Sequence, residues 1–168
     1  MLWVVDTNLL LIARGRHEDI SPGCVKICIL RLTEIQKKEC VALDDGYRIL
    51  SEYLHKTNPK GGKDPGQVFL KWLLRNQNNR KRCRRVRVTE HSQQGFESFP
   101  DDPDLTEFDP ADRKFVAVAA ACPEVPPILQ AADSKWWTWA EALARHGVRV
   151  EFLCPEDIKR FHARKGAA

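Results

Sequence analysis

Leu2-Trp3-Val4-Val5-Asp6-Thr7-Asn8 is the stretch on which the fold turns. Four apolar residues, β-branched and aromatic among them, have the character of a strand buried on both faces. An acid at the carboxyl end of such a strand stands on the rim of a parallel sheet, where open α/β folds place their ligands. Core packing does not account for a carboxylate there, so the other acids of the chain become candidates for partners.

The chain has 168 residues, 43% hydrophobic and 30% charged. That is one domain by length, able to bury about two-thirds of its unfolded surface without staples. No run of about 18 apolar residues occurs, and Met1-Leu2-Trp3 lacks a basic leader, so a cytoplasmic protein without a membrane segment is expected. Cys24, Cys28, Cys40, Cys83, Cys122 and Cys154 follow no secreted-scaffold rhythm and are expected to be buried, reduced thiols. Cys24 and Cys28 could share a metal from one helix face, but no third ligand lies near them in sequence.

Downstream of the first strand, Ser21-Pro22 has the form of a cap and first-turn proline, opening a helix to about Lys38. Cys40–Leu43 is a second strand, and Asp44 or Asp45 is placed to cap a helix from Tyr47 to about Lys56. Asn58 to Gly66 is a turn-rich loop, followed by a helix through Val68, Phe69, Trp72 and Leu73. Cys83–Thr89 alternates as a strand with one wet face. Residues 90–106 lack periodicity and are expected as a long surface loop. Asp109-Pro110 starts a helix to Ala121, Pro127–Ala132 is a buried strand ending on Asp133, and a helix, a strand and a C-terminal helix follow. About five strands alternating with helices predict a three-layer α/β/α domain with a mainly parallel sheet, spanning 1–168 with loop insertions at 58–66 and 90–106.

If the first strand and the strand ending on Asp133 are neighbours, Asp6 and Asp133 converge with Glu52 and Asp112 into a tight carboxylate cluster. Like charges so placed repel unless a cation holds them. Magnesium or manganese suits an all-oxygen donor set, and a phosphodiester can be hydrolysed there by an activated water. Each acid also has a plainer role: Asp6 and Asp133 can cap the helices that follow, Glu52 can be an exposed helix acid, and Asp109 or Asp112 can complement a helix dipole. Asp112 is preferred over Asp109 as the inner ligand, because Asp109 precedes Pro110 as an N-cap. Asn8, Asp109 and Ser134 are expected around the ligands. Trp136, Trp137 and Trp139 are expected to pack rather than to stack on bases.

Charge is segregated although the net charge is only +4. Seven basic residues and no acid lie between Arg75 and Arg87, and seven acids and no base between Glu97 and Asp112. The basic run, with Arg80, Lys81, Arg82, Arg84, Arg85 and Arg87, is a candidate nucleic-acid surface, with mutual pairing of the two runs as the alternative.

Val4-Val5-Asp6-Thr7-Asn8, Ser51-Glu52-Tyr53, Asp112 to Ala119 and Ile128 to Asp133 together resemble the PIN-domain family of metal-dependent ribonucleases, over nearly the whole chain. The resemblance implies a flavodoxin-like fold, Mg²⁺ or Mn²⁺ held by Asp6, Glu52, Asp112 and Asp133, and endonucleolytic cleavage of single-stranded or structured RNA. A homodimer, or an inhibitory or effector protein partner, would also fit it. One departure is Ala131, where many members carry a hydroxyl residue; Ser134 is the candidate substitute. The competing reading is an inactive PIN-like module that binds RNA or protein through 75–87. A phosphotransferase with Asp6 as nucleophile would want an acid where Asn8 stands.

Overall fold

A computed structural model describes residues 1–17 and 19–167. The central sheet has five parallel strands: β1 (Leu2–Val5), β2 (Cys40–Asp44), β3 (Cys83–Val86), and then β6 (Ile128–Gln130) and β7 (Val150–Phe152), in the order β3-β2-β1-β6-β7. Between β3 and β6 a short antiparallel hairpin, β4 (Glu90–His91) and β5 (Gly95–Phe96), forms a separate two-stranded sheet. Parallel neighbours require crossovers, supplied by α2 (Pro22–Lys38), α4 (Pro65–Asn76), α5 (Arg113–Ala121) and α6 (Ser134–Arg145). A short α1 (Thr7–Ala13) leaves β1, α3 (Arg48–Thr57) leaves β2, and α7 (Pro155–Ala167) follows β7. Among the described residues no helix is long and apolar enough to cross a membrane.

β1 is the middle strand. Leu2 and Trp3 pair with Cys40 and Val41 on one side, and Val4 and Val5 pair with Ile128 and Leu129 on the other. The chain builds outward from β1 to β2 and β3, then returns to lay β6 and β7 on the opposite flank. Right-handed crossovers running in opposite directions put their helices on opposite faces, giving the three-layer α/β/α arrangement expected from the alternation. The crevice at β1 and β6 is the point where strand order reverses, and Asp6 stands at its mouth.

Local sequence sets the helix starts. Ser21 accepts from the Cys24 amide and is followed by Pro22; Asp64 accepts from the Gln67 amide and is followed by Pro65. Asp44 behaves differently from Asp6. It is buried at the end of β2, and its two oxygens take the amides of Gly46, Arg48 and Ile49 and the guanidinium of Arg48, across a Tyr47 held at a φ of 60°. This acid is used up by the helix it starts.

Two expectations need correction. Residues 90–106 are mostly exposed or half-buried, but they are not a plain loop: they hold a short hairpin, Phe96, Phe99 and Leu105 are buried in the core with Phe108 just beyond, and the Arg113 guanidinium gathers the segment by donating to the carbonyls of Gln94, Leu105, Thr106 and Phe108 while lying over the Phe99 ring. Nor are all the cysteines reduced thiols, because Cys24, in the first turn of α2, is bonded to Cys154 just before α7. Their positions are 130 residues apart in the chain, and only the folding of α7 back onto α2 brings them together. Cys28, Cys83 and Cys122 are buried free thiols, and Cys40 is half-buried.

Candidate active site

Asp6, Glu52, Asp112 and Asp133 line one cavity of about 200 Å³, together with Asn8 and Asp109. Asp6 ends β1, and its Oδ2 accepts the Asn8 amide at 2.9 Å, starting α1. Asp133 follows β6, and its Oδ1 accepts the Lys135 amide at 2.9 Å, starting α6. Capping and lining the cavity are therefore compatible roles: each carboxylate has a second oxygen that receives no donor among the described residues.

Glu52 reaches the cavity because of its neighbour. Tyr53 is fully buried and donates its hydroxyl to the carbonyl of Val5, which pins α3 against the end of β1. Glu52 accepts from the Thr7 hydroxyl and pairs with Lys114 Nζ at 2.9 Å and Lys56 Nζ at 3.7 Å. Asp112 joins a 3-10 turn (Pro110–Asp112) to α5, and Asp109 caps that turn by accepting the Ala111 amide. Asp112 makes no cap of its own; its Oδ2 accepts from Trp136 Nε1 at 3.3 Å.

The carboxylates feel one another. Asp6 is pushed up to about 8, first by burial and then by the charge of Asp112, with Asp133 and Glu52 adding to it against the Asn8 amide. Asp112 is pushed up to about 6, by burial and then by Asp109, Glu52 and Asp133, opposed by the Trp136 hydrogen bond. Buried Asp6 and half-buried Asp112, raised in this way beside further acids, mark a crowding of negative charge that a hard divalent cation would relieve. The cluster is looser than the sequence suggests: among the described residues no three of its carboxylates bring one oxygen each within 4.8 Å of one another.

The surrounding expectations divide. Asn8 and Asp109 do line the cavity, and Asn8 and Asp133 also border an adjoining cavity of about 190 Å³ with His17 and Phe161. Ser134 is not among the residues that line the cavity, and its hydroxyl accepts from Lys165 Nζ at 2.8 Å. Trp136 is fully buried, with Trp136 and Trp139 both packed on Phe108, while Trp137 lies on Phe152. Thr7, Lys56 and Lys114 were not singled out by sequence. Lys114 lies two residues after Asp112, on the turn that must face the same cavity, and that spacing was the available signal.

The basic run is divided by the sheet. Arg80, Lys81 and Arg82 precede β3, at the end of the sheet opposite the acids, and Arg82 donates to the carbonyls of Lys37 and Glu39. Arg84 pairs with Glu124. Arg85 donates to Gln77 and Asn78 and lies over the Tyr47 ring, and Arg87 is exposed beyond β3. A cavity of about 640 Å³ opens at this edge strand between Arg80, Arg84 and Arg85. The acidic run turns elsewhere, with Asp102 and Asp104 holding Arg145. Comparison with family models, with curated proteins and with solved structures finds no match to this chain.

Proposed function

We propose that this protein is a divalent-metal-dependent nuclease that hydrolyses RNA phosphodiester bonds. The observation that carries the reading is the convergence of Asp6, Glu52, Asp112 and Asp133, distant in sequence, on one cavity at the switch point of a parallel sheet. An all-oxygen donor set fits Mg²⁺ or Mn²⁺: Asp6, Asp112 and Asp133 each keep one oxygen without a donor among the described residues, and Glu52 would join them by exchanging Lys114 for the ion. When bound, such an ion activates a water and offsets charge on the phosphoryl oxygens.

The protein groups have distinct tasks in this reading. Asp6 and Asp133 are fixed by the helix starts they cap, which sets their free oxygens without further ordering. Thr7 and Lys114 hold Glu52 in place, and Trp136 orients Asp112. Lys114 places a positive charge beside the cavity, suited to a phosphate oxygen. The cavity shared by Asn8 and Asp133 gives an extended substrate a path away from the acids. RNA rather than DNA rests on the resemblance to PIN domains.

Lys114 also favours the competing reading. An ammonium group 2.9 Å from Glu52 already balances part of the charge, as it would in an inactive module that binds RNA or a protein without metal. Incubation with an RNA and single-stranded DNA panel, with and without Mn²⁺, separates the two. Cleavage of RNA that requires Mn²⁺ and falls at least about 100-fold in Asp6→Asn is expected. Undiminished turnover by that variant, or binding of RNA with no divalent-ion affinity, would remove the nuclease reading.

A further inference from the structure

Outside the acid cavity one side-chain cluster has the makings of a site. The sulfurs of Cys24, Cys28 and Cys154 all lie within 4.8 Å of one another, and all three residues are buried. Two of them form the disulfide between α2 and the start of α7; the third, Cys28, is one turn further along α2 and stays a thiol. We infer that, with the disulfide reduced, Cys24, Cys28 and Cys154 together bind one thiophilic divalent ion of the zinc class.

Geometry and chemistry support it. Tetrahedral zinc with bonds of about 2.3 Å needs its sulfurs roughly 3.8 Å apart, so Cys28 is already near enough and only the bonded pair has to part. Cys24 and Cys28 come from one helix face at a spacing of four, which holds two ligands without rearrangement. Asp157, three residues after Cys154, is a buried carboxylate near this cluster, anchored by the Ser21 amide and hydroxyl at 2.8 and 2.7 Å.

The two states are exclusive and balance simply. A dithiol reductant gives two electrons and two protons to the Cys24–Cys154 bond, which breaks into two thiols while the dithiol closes to its own disulfide. The ion then displaces the thiol protons as it binds. Either state ties α7 to α2, by a covalent bond in one and by a coordination bond in the other.

The test uses the full chain, purified under a dithiol that is then removed anaerobically, and titrated with Co²⁺ as a spectroscopic stand-in for zinc. The reduced protein is expected to develop a sulfur-to-cobalt charge-transfer band saturating at one ion per chain, and the oxidised protein none. Loss of an outer-shell partner alone costs metal sites about 10–100-fold in affinity, so Cys28→Ser is expected to weaken Co²⁺ at this site by about 100-fold or more. Cys122→Ser, a buried thiol outside the cluster, and Asp6→Asn are expected to keep the band. Because carboxylates give no sulfur band, the outcome does not depend on the nuclease reading. Absence of the band in the reduced chain, its presence in the oxidised chain, or its full retention in Cys28→Ser would overturn the inference.

Discussion

Asp6 carries the largest consequence of any single residue. In the folded, metal-free chain it stays protonated up to about pH 8, whereas in an unfolded chain it ionises near its ordinary value of 3.8. Ionisation therefore favours unfolding across that window: the stabilisation is complete below about pH 4 and is lost as pH rises towards 8, at a rate of at most about 1.4 kcal/mol per pH unit. Thermal denaturation in chelator is expected to give a Tm that falls from pH 5 to pH 8, with a shallower slope in Asp6→Asn and a Mg²⁺-dependent rise that is greatest at pH 8. Trp136→Phe keeps the packing on Phe108 and removes the donor to Asp112. The Asp112 carboxyl then rises above 6, so the acid limb of the cleavage profile is expected to move to higher pH, with a stability loss of about 1 kcal/mol. Asp6 and Asp133 were legible because apolar strands deliver them to a sheet edge. Glu52 was not assigned a face, since the contact that decides it, Tyr53 to the Val5 carbonyl, is a long-range hydrogen bond with no local signature.

Elements with their own start signals were read closely. Ser21-Pro22 and Asp109-Pro110 mark starts that the structure uses, and the helix placed from Val68 begins three residues earlier, at the Asp64-Pro65 cap. In residues 90–106 the exposed loop character was legible but the buried anchors were not. Phe96, Phe99, Leu105 and Phe108 have no regular spacing, and what gathers their backbone is a long-range contact, the Arg113 guanidinium at the start of α5 joining four carbonyls. Phe108 anchors this segment against Phe99, Trp136 and Trp139. Phe108→Ala is expected to cost about 3–5 kcal/mol. Because the same packing carries the Trp136 indole to Asp112, cleavage should fall together with protection of residues 90–108 from limited proteolysis. The pairing of Cys24 with Cys154 was invisible for a related reason: disulfide partners are fixed by where helices end in space, and the two residues sit in unremarkable local sequence.

Across the whole molecule, charge is arranged differently from its linear order. The run from Arg75 to Arg87 reads as one basic surface, yet a strand passes through it, and alternation sends Arg84 and Arg85 to opposite faces while Arg82 binds the carboxyl end of α2. Arg85 and Arg87 are the members nearest the acid end of the sheet. Replacing both with Ala is expected to reduce the salt dependence of RNA binding by about two charges, measured as the slope of log affinity against log salt. Arg82→Ala should leave that slope unchanged and lower stability instead. The position of β1 between β2 and β6 also has a temporal meaning. As the polypeptide leaves the ribosome, Asp6 and Glu52 emerge long before β6 exists to flank β1, and Asp133 arrives only with β6. On the nuclease reading proposed above, the site would be complete only once residue 133 has emerged, so this strand order would postpone activity until synthesis is nearly over.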